Sequence, residues 1–178
     1  MVLFTEQKAD GERYGYRTPA GTVVIEPRFR MAEDFAETGL AAVVDESGWA
    51  YINTKGEVVV RPFVFDNGPD SFSQGLARFE RDEKFGFFDE SGQVVIQPRF
   101  EFALPFSEGL AAVCKGCTRE NHGEHWSAVG GNWGYIDRSG RESIPFAYDE
   151  AASFEGGRAR VVQDGQPQWI GKDGRPQQ

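Results

Sequence analysis

The sequence predicts an all-β chain of tandem repeats, and three observations lead there. Glycine and phenylalanine are abundant, 22 and 15 of 178 residues, which suits short strands, tight turns and a core of rings rather than helices. An aromatic residue stands at Tyr14, Trp49, Phe85 and Trp133, and seven residues after each comes a glycine, at Gly21, Gly56, Gly92 and Gly140. β-Branched triplets, Val23-Val24-Ile25, Val58-Val59-Val60 and Val94-Val95-Ile96, run up to prolines at Pro27, Pro62 and Pro98.

The rest of the unit repeats with the same spacing. Eight residues past each glycine stand Phe29, Val64, Phe100 and Tyr148, followed by Phe35, Phe72, Phe106 and Phe154, and by Gly-Leu-Ala beginning at Gly39, Gly75 and Gly109. The fourth copy reads Gly157-Arg158-Ala159. These matches divide the chain into repeats of about 35 residues at 2–38, 39–74, 75–108 and 109–156, with a partial copy at 157–178. Together they are expected to form one domain, 1–178, of three-stranded units stacked as a solenoid or curved into a propeller-like ring.

Each unit reads as three strands. The first is a short apolar run after glycine: Leu40 to Val44, Leu76 to Phe79, Leu110 to Cys114, Ala159 to Val162. The second opens on the aromatic, as in Phe85-Gly86-Phe87-Phe88, where rings alternate with a small residue and so share a face. A turn such as Asp89-Glu90-Ser91-Gly92 follows, in which the Asp side chain caps its own backbone and Gly accepts positive φ. The third strand is the β-branched triplet. Proline stops it because it has no N–H for a further ladder bond, at Pro145 one residue early in the fourth copy.

These motifs resemble the WG β-repeat proteins of bacteria. Trp133-Gly134-Tyr135-Ile136-Asp137 matches the namesake strand in full, and the likeness extends through the Val-Val-Ile-x-Pro-x-Phe stretch and Phe106-Ser107-Glu108-Gly109-Leu110-Ala111. Other copies depart from the Trp-Gly pair, as Tyr14-Gly15, Trp49-Ala50, Phe85-Gly86 and Pro167-Gln168, which fits an aromatic that only packs. The resemblance implies repeat architecture and binding roles, and it brings no catalytic residues.

The net charge of −9, with both signs interspersed, leaves no basic stripe for a phosphate backbone, so nucleic acid is not an expected partner. Acidity suits a basic protein partner. No apolar run is long enough to span a bilayer, and Met1 to Lys8 lacks a basic start followed by an apolar stretch. A cytoplasmic protein is expected, and an exported mature form would read the same.

Three places in the sequence carry residues capable of chemistry. The acidic pairs Asp45-Glu46, Asp82-Glu83, Asp89-Glu90 and Asp149-Glu150 fall mostly in predicted turns, where carboxylates are solvated turn-formers before they are acid–base pairs. The recurring Trp and Tyr can stack on sugars, but rings at one fixed place in every repeat are more often core. The third place is an insertion, 114–131, which lengthens the glycine-to-glycine step from 36 to 48. Both cysteines and both histidines of the chain lie there, as Cys114-x2-Cys117-x4-His122-x2-His125. Two thiolates and two imidazoles close a tetrahedral structural zinc site, and the dozen polar residues need such a term to become ordered. A Cys114–Cys117 disulfide, or a plain exposed loop, reads from the same residues. The expected function is a non-catalytic scaffold for protein–protein interaction, of an inhibitor or immunity type. A carbohydrate or cell-surface ligand-binding module is the alternative.

Overall fold

A computed structural model of the chain describes residues 1–123 and 125–177, without the side chain of His125. Strands and turns make up the described residues, and there is no helix among them. The chain divides into two compact units, Met1–Ser71 with Asp89–Gln93, and Phe72–Phe88 with Val94–Gln178.

The first unit begins with a three-stranded antiparallel sheet of β1 (Val2–Lys8), β2 (Gly11–Arg17) and β3 (Val23–Phe29). A four-stranded sheet follows in the order β4 (Met31–Ala32), β5 (Ala41–Asp45), β6 (Gly48–Ile52) and β7 (Val58–Val60). The unit closes on a small hairpin of β8 (Val64–Phe65) and β9 (Gly68–Pro69).

In the second unit β10 (Leu76–Arg81), β11 (Lys84–Asp89) and β12 (Val94–Phe100) form a three-stranded sheet, although the turn at the end of β11 groups with the first unit. Then come β13 (Phe102–Ala103) and β14 (Leu110–Lys115), an inserted ribbon of β15 (Thr118–His122) and β16 (His125–Val129), and β17 (Asn132–Asp137) with β18 (Glu142–Tyr148). β13, β14, β17 and β18 make one sheet. The last sheet is β19 (Glu150–Ala151), β20 (Arg158–Gln163), β21 (Gln166–Gly171) and β22 (Pro176–Gln177).

The three-strand unit is therefore present, with one addition. Residues just past the proline, Met31–Ala32, Phe102–Ala103 and Glu150–Ala151, cross over and pair with the first strand of the next repeat. Two residues are too few to show a period of two in the sequence, although Ala32, Ala103 and Ala151 recur there.

The glycine of the Trp-Gly pair has a steric cause. Where β2 meets β3, and β11 meets β12, the register slips just after the leading aromatic. The third strand's backbone there passes over the glycine. A Cβ at Gly15 would lie 2.6 Å from the Ile25 carbonyl oxygen, and one at Gly86 would lie 2.5 Å from that of Ile96. Ala50 holds this place in the second repeat. Its third strand, β7, is only three residues long and pairs with Tyr51 and Ile52 but not with Trp49.

The turns are closed by their own residues, and motif residues tie consecutive repeats of the second unit together. The Asp89 carboxylate accepts from the Ser91 and Gln93 amides at 2.9 and 3.0 Å, and Asp137 accepts from Ser139 and Arg141 at 2.8 and 3.0 Å. The turn glycines Gly56, Gly92 and Gly140 have φ of 80, 83 and 83°. In the second unit the Ser107 hydroxyl donates to the Phe154 carbonyl at 2.6 Å, while Glu108 accepts the Gly157 amide at 3.0 Å. Ser73 and Gln74 make the same two bonds one repeat earlier, to Phe106 and Gly109. The Phe-Ser-Glu-Gly motif is thus a coupling between consecutive repeats. Phe106 and Phe154 are buried, edge-on to Phe87 and Tyr135 at 4.8 and 4.9 Å. Phe35 and Phe72 are only half-buried.

The turn carboxylates make stability depend on pH. The serine hydroxyl bond is the largest influence on Asp89 and Asp137; with the backbone amides it outweighs burial and holds both carboxyls below the usual aspartate range. A carboxyl with a lowered folded pKa stabilises the fold above its unfolded value, about 3.9, and loses that contribution as pH falls through the folded value. Denaturant unfolding between pH 5 and 2 is expected to show this decline, and an Asp89→Asn/Asp137→Asn variant to show a shallower one.

Candidate functional site

The insertion is an ordered β-ribbon. Thr118 pairs with Val129, Asn121 with Trp126, and His122 with His125, so the ribbon reverses through Gly123, which has φ of 67°. What orders it is an apolar anchor. Trp126 packs on Phe102 and Phe85, with ring centroids 5.1 and 6.3 Å away, and Phe102 in turn meets Phe85 at 5.3 Å and Trp133 at 5.9 Å. Arg119 lies over the Trp126 ring at 4.2 Å and pairs with Glu80 at 2.7 Å. A cation held between a ring face and a carboxylate gains from both.

At the ribbon's base, Glu101 accepts the Gly116 amide at 3.0 Å and is salt-bridged to Lys84. Burial raises the Glu101 pKa, but the Lys84 and Gly116 bonds outweigh it and keep the carboxyl below its ordinary range.

Two of the four proposed zinc ligands are brought together. Cys114 and Cys117 are joined as a disulfide with Cα atoms 6.0 Å apart, both buried at the ribbon's base. His122 stands exposed at the far end of β15 and hydrogen-bonds Ser127 at 3.1 Å. Five residues of extended strand place it on the order of 16 Å beyond Cys117. The His125 side chain lies outside the described residues. Among the described residues no group of three or more His, Cys, Asp or Glu is disposed to hold a metal ion. The sequence signal for the anchor was Trp126 itself, the one tryptophan of four with no repeat counterpart.

The acidic pairs lie in turns or at strand ends. Asp82 and Glu83 both have positive φ, 52 and 59°, in the connection between β10 and β11. Asp45 is held by Arg61 through two bonds of 3.0 and 2.7 Å, and the Arg61 hydrogen bond is the largest cause of its lowered pKa. Asp149 accepts the Gly165 amide at 2.9 Å. Asp149 and Glu150, with Ala128 to Gly131, line a cleft of about 270 Å³ that has no aromatic wall.

Short antiparallel sheets that recur with the same strand and turn motifs define the chain as a tandem β-repeat protein. The model of the WG containing repeat family matches residues 14–49, 49–85, 85–116 and 133–166, and the chain belongs to that family. The matched segments begin on the leading aromatics and leave out the ribbon. No curated protein matches the chain.

Proposed function

We propose that the chain is a non-catalytic scaffold that binds another protein, a basic one, in the manner of an inhibitor or immunity protein. The observation that carries this is the make-up of the first unit. Fourteen acidic and seven basic residues fall within it, so it holds −7 of the chain's −9. The same unit exposes Met31 to 55% and Phe65 to 62%. Exposed apolar side chains on a unit of net negative charge suit an electrostatically steered protein interface. The Cys114–Cys117 link is of the kind that persists in oxidising compartments, which favours an exported form.

Trp169, 42% exposed, favours the carbohydrate reading, but the Arg158 guanidinium covers one face of its ring at 4.6 Å.

The test is affinity capture with the full chain, followed by reconstitution from purified components. A basic protein bound at fixed stoichiometry, with affinity falling at least tenfold between 50 and 300 mM salt, is expected. A chain that recovers no such protein yet binds or hydrolyses a defined glycan on an array overturns the proposal.

A further inference from the structure

One lateral row of side chains occurs in both units, under the inserted ribbon in the second and part-exposed in the first. In the second unit Phe102, Cys114 and Trp133 stand opposite one another across β13, β14 and β17, with Phe85 beside Phe102. The ribbon seats Trp126 against this row, and Phe85 and Cys114 are fully buried while Trp133 is 7% exposed. In the first unit the equivalent row is Met31, Val44 and Trp49 across β4, β5 and β6, and Tyr14 holds the repeat position of Phe85. No ribbon follows Val44 there, since Asp45 pairs directly with Gly48 across a tight turn. Met31 is 55% exposed, and Tyr14, Val44 and Trp49 each keep part of their surface in water.

The molecule therefore shows on itself what fits this row: a β-hairpin bearing an aromatic ring with a guanidinium stacked on it. We propose that the row Tyr14, Met31, Val44, Trp49 is the docking site for a basic β-hairpin of the partner protein, which lays an aromatic residue on Met31 under an arginine or lysine. This rests on the protein-binding proposal above and gives it a site. Three further features fit such an occupant. Tyr14 Oη donates to Glu12 at 3.4 Å, so a carboxylate stands at the edge of the row, where an incoming cation can pair as Arg119 pairs with Glu80. The unit's charge of −7 attracts a basic segment. Beyond Trp49, whose indole N–H donates to the Asn67 carbonyl at 2.9 Å, the small hairpin β8–β9 adds the exposed side chains of Val64 and Phe65 to the apolar surface.

The probe is a cyclised synthetic hairpin of sequence 118–129 in which Glu120 and Glu124 are replaced by lysine, titrated into the full chain and followed by NMR. It is expected to shift the Met31 methyl and Trp49 indole signals. Its affinity should fall at least tenfold for Met31→Glu and for Val44→Lys, two partly exposed positions, with melting temperatures measured as a control on folding. A hairpin carrying Trp126→Ala should leave the Met31 signal unmoved. Unshifted Met31 and Trp49 signals, or equal affinity for the parent chain and a folded Met31→Glu variant, overturn the site. A captured basic partner that binds Met31→Glu undiminished also overturns it, while leaving the protein-binding proposal standing.

Discussion

Phe106→Ala should destabilise the second unit by about 3–5 kcal/mol, the usual cost of removing a fully buried phenyl ring. Phe106 is 1% exposed, its ring meets Phe87 edge-on at 4.8 Å, and its backbone carbonyl accepts the Ser73 hydroxyl. Truncation opens a cavity just where one repeat is coupled to the next. With a urea slope of about 2 kcal/mol/M, the midpoint of the transition assigned to this unit should fall by roughly 2 M. Phe35→Ala is the internal comparison. Phe35 is half-buried, against Tyr16 at 4.6 Å, and its removal should cost clearly less. Equal losses at the two positions would contradict the packing described.

Gly86→Ala should be nearly as damaging for the opposite reason, because it adds an atom where none fits. Besides the Ile96 carbonyl, the new methyl would meet the Phe79 ring and the Pro98 nitrogen, each at 2.8 Å. The β12 backbone must move, and overpacking of this kind costs about 1–3 kcal/mol. Hydrogen exchange locates the damage. Amides around the Phe85–Phe100 pairing should exchange faster while those of the β10–β11 hairpin change little. The protein already shows this adjustment at Ala50, where the third strand is short and does not reach the leading tryptophan. Ala50→Gly should cost about 1–2 kcal/mol, the flexibility penalty of glycine plus the loss of one buried methyl, with no relief of a clash to offset it. A Gly86→Ala variant as stable as the parent would show that the glycine is there for another reason.

The repeats were legible because all four carry an aromatic and a turn glycine at fixed spacing and three of them a β-branched triplet, and local turn chemistry needs nothing from the rest of the chain. The fourth strand was not legible, since Met31–Ala32 and its equivalents are strands only by virtue of a neighbour to pair with. The ribbon was hidden for a related reason. Thr118 to His122 are polar and all exposed, so no alternation marks a strand, and the stabilising contact joins Trp126 to Phe85 and Phe102 far away in sequence. The four Cys and His positions share one loop in the sequence, whereas the fold joins Cys114 to Cys117 and sets His122 at the other end of β15. The spacing of Cys114 and Cys117 brings them close, but the bond they form depends on their separation in space. The part-exposed row of the first unit was likewise invisible until the covered one in the second gave it a counterpart.

The most direct test of the binding proposal is hydrogen–deuterium exchange of the full chain with and without its reconstituted protein partner. Protection is predicted in the first unit, across Met31–Ala32, Ala41–Asp45 and Gly48–Ile52, with the second unit's Leu110–Lys115 and Asn132–Asp137 unchanged. Protection confined to the second unit, or none anywhere at saturating partner, would contradict it.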